Sequence, residues 1–201
     1  MGSVLKQNIA EFLLNFPKAI SSTQREVLPF SLLQSGIPRG AITEISGLAG
    51  GGKTEAVLRL LAENPEIKVA WIEANFTLYP CRMAQQKVAL ERVLFVETSA
   101  EYLWVTQQVL RSQLFSVVVL VAPVPQEAIL RRLQIAAERA KASVVFLTEY
   151  PTRQGTWPIQ VQLQAQRSRP RGELVLTVLK CPGVPTPAVF ASLVPISVSR
   201  Y

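Results

Sequence analysis

The chain has 201 residues, 49% apolar and 17% charged, which is enough to bury one core and too apolar for a disordered polymer. No apolar run reaches the ~18 residues of a membrane helix, and no charged-then-apolar secretion leader stands at the N-terminus. Without histidine, and with Cys81 and Cys181 far apart in sequence, the composition argues against a zinc site and for a reducing cytoplasm.

The net charge is +7, and all fourteen acidic residues are glutamate; the chain has no aspartate. Residues 41–150 balance acids against bases. The basic excess lies mainly beyond residue 150, where Arg153, Arg167, Arg169, Arg171, Lys180 and Arg200 face one acid, Glu173. Such asymmetry suits a polyanion or an acidic protein partner.

In chain order, Leu5, Ile9, Phe12, Leu13 and Phe16 recur at helical spacing over residues 4–16, and Pro17 ends that amphipathic helix. It packs on its own domain or docks on a neighbour; its sequence leaves both open. Residues 17–40, with Pro17, Pro29 and Pro38, read as an irregular lead-in that turns at 36–40 into a strand over 41–46. Gly47-Leu48-Ala49-Gly50-Gly51-Gly52-Lys53-Thr54 follows and matches G-x-x-x-x-G-K-T without deviation. Strong helix formers then run from Glu55 to Glu63.

A glycine loop between a strand and a helix start is the context a phosphate-wrapping loop requires. Its backbone N–H groups converge on an anion at the positive end of the helix dipole. Lys53 then reaches the β- and γ-phosphates, and the Thr54 hydroxyl is the candidate Mg2+ ligand. The nucleotide-binding candidates are Gly47, Gly50, Gly51, Gly52, Lys53, Thr54 and Glu55, with ATP and Mg2+ as the cofactors.

Further strands are expected over 68–73, 93–96, 116–122 and 143–148, and helices over 79–91, 99–114 and 125–142. This alternation implies an α/β fold, a mainly parallel central sheet flanked by helices. Beyond Pro151 the helices stop. Strands over 159–165 and 174–179 form a β-hairpin extension whose basic tip carries Arg167, Arg169 and Arg171, candidates for gripping DNA or an acidic partner. The expected division is an N-terminal helix and linker over 1–29, a P-loop domain over 30–181 and a Pro-rich tail over 182–201.

Residues 35–47, Ser-Gly-Ile-Pro-Arg-Gly-Ala-Ile-Thr-Glu-Ile-Ser-Gly, resemble the "gGlPrGrivEi.G" approach to the P-loop in the RecA-type recombinase family. Residues 71–80, Trp-Ile-Glu-Ala-Asn-Phe-Thr-Leu-Tyr-Pro, resemble that family's "FIDAEHALDP" segment. The resemblance spans about residues 30–180 and implies a RecA-like P-loop NTPase core. It also implies what is missing. The glutamate that polarises the attacking water in that family is matched by Asn75. The strand that should end in a Mg2+-holding aspartate ends Leu120-Val121-Ala122-Pro123. Binding without fast hydrolysis is the expectation, with Glu73 and Glu149, each at a strand end, as the candidate substitutes.

A small RecA-like chain with a degenerate second motif is most similar to the ImuA-type proteins, a group similar also to the SulA-like cell-division inhibitors. The similarity implies a DNA-repair accessory of the SOS response and translesion mutagenesis, working in the bacterial cytoplasm. An ImuB-like Y-family polymerase homologue or a RecA-like protein would be its partner. The intact Lys53-Thr54 pair departs from many ImuA-like chains. Phe16-Pro17-Lys18-Ala19 matches the Phe-x-x-Ala peptide by which RecA-like recombinases clasp the next protomer, which with Phe12 gives a candidate self-association or partner segment. Two other functions remain open: a DNA-stimulated, filament-forming RecA-like ATPase, and a SulA-like inhibitor of cell division acting by protein contacts alone.

Overall fold

The computed structural model describes residues 26–153, 156–168 and 172–191. The expected helix over 4–16, with Phe12, Phe16 and Ala19, lies outside the described residues, as do Arg169 and Arg171.

Six strands form the parallel part of one sheet: β3 (Ile42–Ser46), β4 (Val69–Glu73), β5 (Val93–Glu97), β6 (Val117–Val121), β7 (Ser143–Thr148) and β8 (Ile159–Arg167). Their spatial order is β8-β3-β7-β6-β4-β5, and β9 (Leu174–Lys180) and β10 (Ala188–Ala191) extend the β8 edge antiparallel. The runs of Val, Ile and Leu in β6 and β7 follow from burial on both faces.

Successive side chains part to opposite layers, as pleating requires. Trp71, Val119 and Val145 join Leu58 and Leu61 of α1 (Lys53–Glu63) on one face. Ile72, Val118, Leu120 and Phe146 join α3 (Tyr102–Ser112) and α4 (Glu127–Ala140) on the other, through Leu110 and Leu133. Each face thus buries an amphipathic helix stripe.

Three elements differ from the sequence expectation. The helix expected over 79–91 is only α2 (Pro80–Gln85), with a 3-10 turn at Leu90–Arg92. Lys87 leaves the helix at a left-handed φ of 60°. The Arg92 guanidinium donates to Asn64 O at 2.8 Å, Ile67 O at 3.0 Å and Leu61 O, fastening this turn to the end of α1. The lead-in contains a short antiparallel pair, β1 (Val27–Leu28) with β2 (Ile37–Pro38), and buries Phe30, Leu32 and Leu33. The tail supplies β10, paired with β9 at Val189↔Thr177. Its four residues are too few to show a period, and Val189 is 65% exposed at the sheet edge.

Candidate functional site

The P-loop joins β3 to α1. Gly47 N–H donates to Thr148 O at 3.0 Å, and Gly51 N–H to Leu48 O at 2.9 Å. Gly52 caps α1 with φ 100° and offers no side-chain cap. A helix start leaves its first N–H groups without intrahelical acceptors, so those of Lys53, Thr54 and Glu55 are turned to the loop. This is a strongly polarised, uncapped donor set with a glycine where only glycine fits: at φ +100° a Cβ on Gly52 would also meet Leu174 Cδ1 at 2.6 Å.

Lys53 lies along the loop. Its Nζ donates to Gly47 O at 2.7 Å and Thr148 O at 3.2 Å. Partial burial pushes its pKa below the ordinary lysine value, against the raising influence of the Glu149 carboxylate. Lys53 and Thr54 line a cavity of about 430 Å³ with Glu55, Glu73, Arg82 and Arg167 on its walls.

Glu55, the residue after the motif, is 6% exposed and gathers three guanidinium groups: Arg59 at 3.9 Å, Arg82 at 3.8 Å and Arg167 by a direct hydrogen bond. Arg167 is the last residue of β8. Besides Glu55 it donates to Gly50 O at 3.2 Å and Gly172 O at 2.8 Å, so it is turned onto the P-loop.

The two candidate carboxylates are not brought together. Glu73 ends β4 inside the cavity, 2% exposed, and accepts from Thr77 N at 2.8 Å, Leu78 N at 3.5 Å and Thr77 Oγ1 at 3.4 Å. Those bonds hold its own following turn, yet a carboxylate has lone pairs beyond them. Glu149 is exposed and lines a different, wider cleft of about 1130 Å³ against Gly47–Gly51 and the β8–β9 strands. Asn75 is exposed outside both cavities. The end of β6 brings Val121 to the cavity, in register with Glu73. Among the described residues no cluster of three metal-ligating side chains exists, and no helix is long and apolar enough to cross a membrane.

Sequence reasoning passed over three residues here. Arg82 reaches the cavity from α2 and carries no motif. Trp71 lines the same cavity, and its buried indole N–H finds no acceptor among the described residues. Glu44, fully buried in β3, accepts from Thr148 Oγ1 at 3.1 Å, Thr152 N at 2.9 Å, Thr152 Oγ1 at 2.7 Å and Gln162 Nε2 at 2.9 Å. It fastens the turn carrying Glu149 to the strands beneath the P-loop. Its signal in the sequence was the match of Glu44 to the E of the "gGlPrGrivEi.G" segment, inside a strand, Ile42–Ser46, that the fold buries throughout.

No family model matches the chain. It is 27% identical to protein RecA of Symbiobacterium thermophilum over 174 residues, 74% of this chain and 49% of that protein. The chain thus spans about half the length of that curated relative. Among solved structures, it superposes on the crystal structure of the RadB recombinase with a TM-score of 0.66 at 18% identity, covering 80% of this chain and 90% of that one. The fold is therefore RecA-like, as the two sequence segments around the P-loop implied.

Proposed function

We propose that the protein binds ATP with Mg2+ at Gly47–Thr54 as a RecA-like accessory of DNA repair, acting in damage-induced mutagenesis, and that it hydrolyses ATP slowly or not at all. The observation that carries this reading is one cavity that pairs an uncapped P-loop helix start, Lys53 and Thr54 with an apolar Val121 at the end of β6.

The residues fit the phosphate chain. The α1 start offers N–H groups and a positive dipole end, and Lys53 offers an ammonium whose present acceptors are two backbone carbonyls. For Mg2+, which keeps most of its waters, Thr54 would be the direct ligand and Glu73 the second-sphere acceptor. When bound there, the ion would neutralise charge on the β- and γ-phosphates. The base for water is the weak point: Asn75 is a neutral amide, and Glu73 is turned to its own loop, Oε1 accepting from the Thr77 and Leu78 backbone N–H groups and Oε2 from the Thr77 hydroxyl. Binding therefore outlasts chemistry, which suits a scaffold whose partners, rather than turnover, do the work. An ImuB-like polymerase homologue or a RecA-like protein is the proposed partner class, in the bacterial cytoplasm. DNA contact through the β8–β9 turn and self-association through Phe16 and Ala19 belong to the same proposal.

Glu73 favours a second reading, because a buried carboxylate does stand in the cavity with Thr54. If it orients water, the protein is a DNA-stimulated ATPase. Phosphate release with and without single-stranded DNA, for the native protein and Glu73→Gln, separates the two. The accessory reading expects turnover no greater than that of Lys53→Ala under both conditions. Turnover that rises with DNA and disappears in Glu73→Gln would replace it with the second.

A further inference from the structure

Arg167 stands where the two cavities beside the P-loop meet; with Ala49 and Gly50 it belongs to the walls of both. Its guanidinium joins three places: Gly50 O in the P-loop, the Glu55 carboxylate in the first turn of α1, and Gly172 O across the β8–β9 turn. The contact is mechanical as well as polar. A Cβ on Gly47 would lie 2.6 Å from Ala165 O of β8, and one on Gly52 2.6 Å from Leu174 Cδ1 of β9. The Gly47 contact is with backbone, so the loop has no slack against β8, and a displacement of either is felt by the other.

The charge at this point is lopsided. One buried carboxylate, Glu55, faces Arg59, Arg82 and Arg167. Removing the only partner of a buried carboxylate would be costly. Here two guanidinium groups remain within 4 Å if the third departs. Arg167 can therefore leave with Glu55 still facing Arg59 and Arg82, and of the three it alone lines both cavities. A planar guanidinium also matches a phosphate in bidentate geometry, which Lys53 cannot do.

We infer that Arg167 distinguishes a nucleoside triphosphate from a diphosphate in this site, exchanging Glu55 for the terminal phosphate, and that the exchange is transmitted to the β8–β9 turn. This rests on the nucleotide-binding reading above and adds its specificity and its output. The diphosphate, ending one phosphate short, leaves Arg167 on Glu55 and the turn where it is. The triphosphate supplies a doubly charged rival acceptor and draws the end of β8 with it. The hairpin whose tip is basic thereby reports which nucleotide is bound.

The test is calorimetric titration of MgATP and MgADP into the native protein, Arg167→Ala and Glu55→Gln, with amide hydrogen exchange over residues 159–180. Arg167→Ala should weaken ATP by about tenfold and ADP by less than about twofold, the loss of one charge-assisted contact. Glu55→Gln keeps the arginine and removes its competing anion, so ATP should tighten several-fold while ADP does not. ATP, and not ADP, should alter exchange over β8–β9 in the native protein, and Arg167→Ala should abolish that difference. Equal weakening of both nucleotides, or identical exchange with ATP and ADP, overturns the inference while leaving nucleotide binding in place. A native protein that binds neither nucleotide overturns both.

Discussion

Lys53→Ala loses ATP, with affinity falling by roughly a hundredfold or more while the fold survives. Among the described residues, Lys53 carries the one lysine charge lining the phosphate cavity, and its acceptors, Gly47 O at the start of the loop and Thr148 O at the end of the neighbouring β7, are backbone carbonyls. Two charge-assisted contacts to phosphate are each worth about 1.5–3 kcal/mol, and removing the charge forfeits both. The structural cost is small by comparison. The loop stays tied by Gly47 N–H on Thr148 O and by α1, whose Val57, Leu58, Leu60 and Leu61 are buried. Titration calorimetry with a thermal melt of the same sample checks both halves. Unchanged ATP affinity in a folded variant would move the phosphates away from this loop.

Glu44→Ala gives the largest loss of stability expected of any polar substitution here, about 3 kcal/mol, or roughly 6–12 °C in Tm for a chain of this size. Glu44 is fully buried, and four donors from β7, the turn after it and β8 converge on its carboxylate. Removing it takes the acceptor from the Thr152 N–H and from the Thr148 and Thr152 hydroxyls, and leaves the buried Gln162 amide with one fewer partner beside Thr152 Oγ1. It also frees the turn bearing Glu149 and Tyr150, which line the wider cleft, so nucleotide affinity should fall along with stability. Urea unfolding measures the first effect. A loss below about 1 kcal/mol would mean that the network relaxes onto water and that Glu44 does not hold the turn.

The parallel sheet and the P-loop were legible because each is written in contiguous residues. The β6 run Val117–Val121 can only be a doubly buried strand, and G-x-x-x-x-G-K-T can be read without knowing what packs on it. What escaped was long-range. Glu55 sits beside the motif, yet its partner Arg167 is 112 residues on, and nothing periodic links them. The Arg167-Arg169-Arg171 cluster reads as one basic tip, but Arg167 turns onto the P-loop through Gly50 O and Glu55, partners that no local pattern announces. β10 escaped because a four-residue edge strand is specified by its neighbour β9 rather than by its own pattern. The shortness of α2 depends on Arg92 reaching back to α1, again a contact between segments distant in sequence.

The central claim is a site that holds ATP without consuming it, and one titration addresses it directly. MgATP is added to the purified protein while binding and phosphate release are followed in the same sample. The account predicts saturable binding of one nucleotide per chain, with phosphate release no faster than in Lys53→Ala. Saturable binding accompanied by steady turnover would contradict it, and would mean that Glu73 or Glu149 supplies the base that Asn75 does not.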